Sequence, residues 1–257
     1  MAMDFRALRS KIATSVKLSV ALRLLVGGLA LWCVVWSAQL FIAGNAYYNV
    51  KNSISLWQKK PELASIESID RALDKIATAL NYFPKNALYY QIQGQLYEWK
   101  AYSESESATV ESMQTIKENE SRKLSHAAAS YEKSLALRPN WSGSWIGLAS
   151  IKWKLNELDE TFYTYLNRAI NVGPQDAIVH KFVAEYGLAM FSARSVHYVK
   201  IQSRLKRHLD LGIQNPLSRD FVLNTIQKQN ANATVCRWLK ASSYPVRKRI
   251  PNCVSYD

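Results

Sequence analysis

The sequence predicts an all-α chain in which one membrane-crossing helix leads into an array of helical hairpins. Three observations carry that prediction. Leu24–Ala43 is an uncharged run of 20 residues. A helix rising about 1.5 Å per residue takes such a run across a hydrocarbon core of roughly 30 Å. Only 9 glycines and 7 prolines interrupt 257 residues, and the stretches between them carry helical apolar periodicity. Short segments with small and large residues at fixed offsets also recur, each closed by a proline.

Residues Met1–Arg23 form a basic leader, with Arg6, Arg9, Lys11, Lys17 and Arg23 against a lone Asp4. The positive-inside tendency puts this leader in the cytoplasm and everything after the span on the far side. Within Leu24–Ala43, Trp32 and Trp36 lie inside the run, while Tyr47 and Tyr48 stand at its exit, where amphipathic rings favour the headgroup layer. A cleaved secretory signal is the competing reading, since Gly44-Asn45-Ala46 offers small residues. The run nevertheless exceeds the roughly 7–15 residues of a signal core, which favours an uncleaved signal anchor. Cys33 follows Trp32, which argues against a lipoprotein site. A buried helix of a soluble protein is the third reading, and the only one that leaves the chain unexported.

Gly44–Leu63 reads as a membrane-proximal helix and linker, the span continuing as a helix over Gly44–Trp57 and stopping before Pro61. The repeats follow over Ala64–Gly187. Ala72, Ile76, Ala79 and Pro84 are spaced four, three and five apart; so are Ala127, Tyr131, Ser134 and Pro139, and so are Phe162, Leu166, Ala169 and Pro174. That spacing puts each set on one helical face with a stop just beyond. After the first proline come Tyr90, Gly94 and Tyr97; after the second, Trp145, Leu148 and Ala149; after the third, more weakly, His180, Val183 and Ala184.

On these residues the chain resembles the tetratricopeptide repeat, a helix–turn–helix unit of about 34 residues. Tyr90 and Trp145 take the tryptophan position of its first helix, Gln93 and Leu148 the leucine position, and Gly94 and Ala149 the glycine position. Tyr97 matches the tyrosine and Lys152 does not. Ala72 and Ala127 match the alanine of the second helix, from which Phe162 departs. The repeat is irregular at Ala101–Arg122, where about 21 residues rich in Ser and Glu are inserted relative to the 34-residue period. Lacking Pro and Gly, the insert is expected to extend two helices out of the array, with an acidic loop as the alternative. Leu188–Asp257 reads as a helical cap with a basic tail: an amphipathic helix through Tyr198, Ile201, Leu205 and Leu209, then shorter ones near Ser218–Gln229 and Ala233–Ala241.

The net charge is +13, partly the leader, partly the cluster Arg194, Lys200, Arg204, Lys206 and Arg207, partly Arg237, Lys240, Arg247, Lys248 and Arg249. An exported domain does not meet nucleic acid, which leaves acidic polymers or anionic lipids for Arg194, Lys200, Arg204 and Arg207. Solvated helix faces are the plainer reading. Cys33 behaves as a small hydrophobe in the span. Cys236 and Cys253 are candidates for a disulfide outside the cytoplasm, which would stabilise by about 3 kcal/mol; two free thiols are the alternative.

No catalytic constellation stands out. His126, His180, His197 and His208 are scattered, no phosphate loop or nucleophile elbow occurs, and neither metal nor cofactor is implied. His180 and His197 fall where adjacent helices would bring them together, in a structural role. Repeat arrays of this kind bind extended segments or helices, so Tyr89, Tyr97, Trp99, Trp145 and Trp153 are the expected partner contacts, a minority of them exposed.

Residues 30–58, ALWCVVWSAQLFIAGNAYYNVKNSISLWQ, are similar to the start of the VpsP family, single-span proteins associated with bacterial exopolysaccharide biosynthesis clusters. The layout of basic leader, span and repeat domain is similar too. The resemblance implies a non-catalytic, single-pass inner-membrane adaptor with its C-terminal domain in the periplasm. Its expected partners are membrane-bound polysaccharide synthesis or export proteins, and acidic polysaccharide itself. A general envelope scaffold for division or outer-membrane biogenesis would share this plan, and a periplasmic polysaccharide-modifying enzyme is a third reading.

Overall fold

The computed structural model describes residues 5–107 and 113–253, and among them every regular element is helical. Helix α1 (Phe5–Trp57) runs unbroken for 53 residues. From Leu22 onward it is long and apolar enough to cross a membrane. Leu24 and Phe41 are each more than two-thirds exposed, so the first part of this stretch is no core helix of the domain. Its last turns belong to the domain instead. Ala43, Ala46, Val50, Ile54 and Trp57 are buried against α2 (Ile66–Tyr82) and α3 (Ala87–Ser107).

The chain then turns back through one 3₁₀ turn, Pro61–Leu63, and Ser65 caps α2 by accepting from the Ser68 amide at 3.3 Å. Each following pair is another hairpin: α3 with α4 (Met113–Leu137), α5 (Ser142–Lys154) with α6 (Glu160–Val172), α7 (Ala177–Ser192) with α8 (His197–Gln214). Asp159 caps α6, accepting from the Phe162 amide at 2.9 Å. The first helices of the third and fourth pairs end on a left-handed residue. Asn156 (φ 58°) closes α5 and Arg194 (φ 51°) closes α7; the next amides, of Glu157 and Ser195, reach back to the carbonyls of Lys152 and Met190. The second helix of each pair stops at its proline, which cannot continue the backbone ladder.

The periodic residues become the core. Ala72, Ile76, Ala79, Ala127, Tyr131, Ser134, Phe162, Leu166 and Ala169 are all buried. Tyr131 shows what the small positions do: its ring lies between the backbones of α3 and α5, where a Cβ on Gly94 or Gly147 would come within 2.7 or 2.4 Å of it. Gly94 is the expected repeat glycine. In α5 the close approach falls on Gly147, while Ala149 packs elsewhere, in the cluster around Phe162.

The array reaches beyond Gly187. Helix α8 pairs with α7 as a fourth hairpin, burying Leu205, Leu209 and Gly212 at the same spacing of four and three. Its proline, Pro216, comes one residue early and glycine replaces the alanine, which hides the repeat in the sequence. Helices α9 (Arg219–Lys228), α10 (Asn232–Trp238) and α11 (Tyr244–Arg247) close the end through Val222, Ile226, Val235, Val246 and Ile250. The Cys236 and Cys253 sulfurs are bonded there, their Cα atoms 5.4 Å apart. The inserted segment is helical in both described arms, α3 continuing to Ser107 and α4 starting at Met113.

Candidate functional site

The first helices of successive hairpins, α1, α3, α5 and α7, line a concave groove of about 640 Å³. Its apolar wall is Ile54 of α1, Trp99 and Tyr102 of α3, and Leu124 of α4. Trp99 is held at an edge-to-face angle between Trp57 (ring centroids 5.9 Å) and Tyr102 (5.8 Å), so its position is fixed before any partner arrives. The lengthened α3–α4 hairpin puts Tyr102, Ser105 and Glu120 over one side of the groove.

Glu98 is the polar centre of the floor. Its side chain is mostly buried and receives three donors from two helices: the Tyr131 hydroxyl of α4, and Ser150 Oγ at 3.0 Å and Lys154 Nζ at 2.6 Å from α5. Burial, reinforced by the Glu98 carboxylate, holds the Tyr131 phenol far above its ordinary pKa, so it stays a donor. Glu185 stands on the α7 wall, where surrounding protein desolvates the carboxyl and raises its pKa against the pull of Lys154 and Lys228. Of the charged lining residues, three are carboxylates (Glu98, Glu120, Glu185) and one is a lysine, Lys154. The groove is therefore acidic within a basic chain.

The expected partner contacts fall in different places. Only Trp99 lines the groove. Tyr89 is buried in the α1–α3 core beside Tyr47, which removes it from any partner surface. Tyr97 is half-buried against His126 between α3 and α4. Trp145 donates to the Pro139 carbonyl at 2.7 Å and packs on Tyr165; Trp153 meets Phe182 and Tyr186 edge-on. These rings glue repeats together because each sits at a helix–helix seam. Tyr102, Glu98 and Glu185 line the groove and were not singled out from sequence; the one available signal was their position on first helices.

The basic stripe of α8 is tied into the fold. Lys200 pairs with Glu160 at 3.0 Å and lies over the Tyr163 ring, and Arg204 donates to Asn167. Arg194 and Arg207 remain exposed.

The histidines do not meet as expected. His180 contacts His208, not His197, with Nδ1 atoms 2.9 Å apart and both side chains buried. His197 shares a hydrogen bond of 2.7 Å with the Tyr163 hydroxyl, which also contacts Tyr186. The reason is register: His208 faces α7 across the α7–α8 seam, whereas His197 begins α8 beside α6. Among the described residues no group of three or more His, Cys, Asp or Glu is placed to hold a metal ion.

No protein-family model matches the chain, and no curated protein is similar enough to match it.

Proposed function

We propose that this protein is a membrane-anchored, non-catalytic adaptor that holds a protein partner in the α1–α3–α5–α7 groove. The observation that carries the reading is Trp99. It is a fixed indole in a concave, acidic groove, beside an exposed tyrosine and an apolar wall, and such anchors dominate binding energy at protein interfaces. The groove's excess of carboxylates selects a segment with an apolar anchor flanked by Lys or Arg. It disfavours acidic polymer.

The anchor is α1, inserted with its basic leader in the cytoplasm and the repeat domain in the periplasm. The bonded Cys236–Cys253 pair agrees with an oxidising compartment. Resemblance to the VpsP family supports a role in exopolysaccharide production, with a membrane-bound synthesis or export protein as partner.

The test is a photo-crosslinking residue at Tyr102, with Thr164 on the outer face of α6 as control, in native inner membranes. A specific adduct from Tyr102, absent from Thr164 and weakened about thirtyfold or more by Trp99→Ala, is the expected result. Identification of the adduct as a polysaccharide synthesis or export protein supports the full reading. A division or outer-membrane assembly protein would make the chain a general scaffold. Equal labelling from both positions would remove the groove as the binding surface.

A further inference from the structure

The repeat domain is not suspended above the membrane on a linker. Helix α1 passes from the apolar run into the domain core without a break, and the contacts along it set the height of the domain. Phe83, in the turn between α2 and α3, packs edge-on against Trp36 with ring centroids 5.8 Å apart. Trp36 lies seven residues before Ala43, so this turn sits about 10 Å below the end of the uncharged run. At that level α1 is two-faced. Ala43 is fully buried against the domain, while Leu40, Phe41 and Ile42 are exposed, Phe41 by 73%. Lifting the domain clear of the bilayer would leave these three side chains in water and draw Arg23 and Lys17 into the hydrocarbon. Keeping the run in the bilayer brings the turn down to the headgroup–acyl boundary and up to about 10 Å past it, a depth from which long basic side chains reach back to the phosphates.

The hairpin topology adds a second turn to the same edge. Helix α1 runs away from the bilayer, α2 returns, α3 leaves and α4 returns. The turns after α2 and α4 therefore share one end of the stack. They are neighbours: Ser134 Oγ of α4 donates to the Ala87 carbonyl at the start of α3 at 2.8 Å, and a cleft of about 590 Å³ lies between the two turns. Their chemistry suits an interface. Tyr82 and Leu137 are exposed, Lys85 and Arg138 are exposed beside them, and the Arg138 guanidinium covers the Trp141 ring at 4.4 Å. No acidic residue occurs in 75–97 or 133–156, the stretches that carry both turns.

From this geometry, and resting on the reading of α1 as a membrane span, we propose that the Tyr82–Asn86 and Leu137–Trp141 turns form a ledge that docks into the headgroup layer of anionic phospholipid. Tyr82 and Leu137 enter the interface, and Lys85 and Arg138 engage phosphates, with the aromatic rings at the depth such rings favour. The ledge fixes the domain upright and against the membrane.

The test uses the full chain, Cys33→Ala, in vesicles of phosphatidylethanolamine and phosphatidylglycerol. Single cysteines carry an environment-sensitive fluorophore at Leu137 on the ledge or at Lys59 at the far end of α1. The Leu137 probe is expected to be quenched by phospholipid spin-labelled high on the acyl chain and shielded several-fold from iodide, with the reverse at Lys59. Lys85→Glu with Arg138→Glu, and separately vesicles of phosphatidylcholine alone, should return iodide access at Leu137 towards the Lys59 level. Each basic residue near an anionic surface contributes about fivefold. Iodide access at Leu137 equal to Lys59 in the anionic vesicles overturns the ledge. Shielding that ignores both charge reversal and lipid charge overturns the anionic selectivity. A chain released from the vesicles by alkaline carbonate would instead overturn the spanning reading. Circular dichroism of the charge-reversed variant checks that both exposed substitutions leave the helices intact.

Discussion

Acid should loosen this domain at the seam between α7 and α8, and the effect can be worked from two buried rings. His180 and His208 touch through their Nδ1 atoms, with Leu205, Leu209 and Ile213 on the same helix as His208. Burial lowers the pKa of both. His208 falls from 6.5 to about 4, first through burial, then through His180, Arg207 and Arg204; Asp176 opposes the shift at His180. The folded pKa lies below the unfolded one, so the fold favours the neutral rings. Their contribution is intact above the unfolded value of 6.5 and drains away as pH falls from there towards 4. At about 1.4 kcal/mol per pH unit, His208 alone removes about 2 kcal/mol between pH 7 and pH 5. Glu185, whose carboxyl is raised, titrates with the opposite sign and offsets part of this.

The assay is urea unfolding of the full chain in detergent micelles, followed by tryptophan fluorescence at both pH values. The midpoint should fall by roughly 1 M on acidification. His180→Leu combined with His208→Leu should flatten that dependence, and His208→Gln alone should flatten most of it. An unchanged pH slope in both variants would refute the argument, because the protons would then be taken up elsewhere.

The remaining predictions concern the groove floor and the cap. Gly147→Ala drives a Cβ into the Tyr131 ring and should cost about 1–3 kcal/mol, read as a lowered melting temperature. Glu98→Ala strands the buried Tyr131 hydroxyl and should cost about 1–3 kcal/mol, whereas Glu98→Gln keeps an acceptor and should recover much of it in the same melt. Reducing Cys236–Cys253 should weaken the cap by about 3 kcal/mol and speed proteolysis after α9, while groove crosslinking from Tyr102 persists.

Periodicity made the helices readable, because a buried helical face repeats every three or four residues whatever its neighbours do. Ala72, Ile76 and Ala79 could be placed in the core from spacing alone. The fourth hairpin escaped because Gly212 and an early Pro216 disturb two of the four marker positions, although the buried face Leu205–Leu209–Gly212 keeps its spacing. The groove was less readable for a different reason. A tryptophan at a helix–helix seam and one at a groove wall look alike in sequence, and Trp145, Trp153 and Trp99 differ only in what the next hairpin covers. The histidine pair depended on register across α7 and α8, which no local pattern encodes.

The height of the groove limits the kind of partner it takes. Ile54, on its α1 wall, lies eleven residues beyond Ala43 and eighteen beyond Trp36. With α1 as the span and the ledge at the headgroups, that puts the groove about 16–27 Å out from the bilayer interior edge. A transmembrane helix of a partner cannot reach this level while remaining in lipid. On the proposed reading the occupant is an extramembrane segment, either a loop or tail of a membrane protein or part of a soluble one. Because the groove is acidic while the turns below it are basic, such a segment carries its cations upward, away from the headgroups that would otherwise compete for them. If both proposals hold, the opposed charges of groove and ledge sort two ligands, peptide above and lipid below, along one rigid helix.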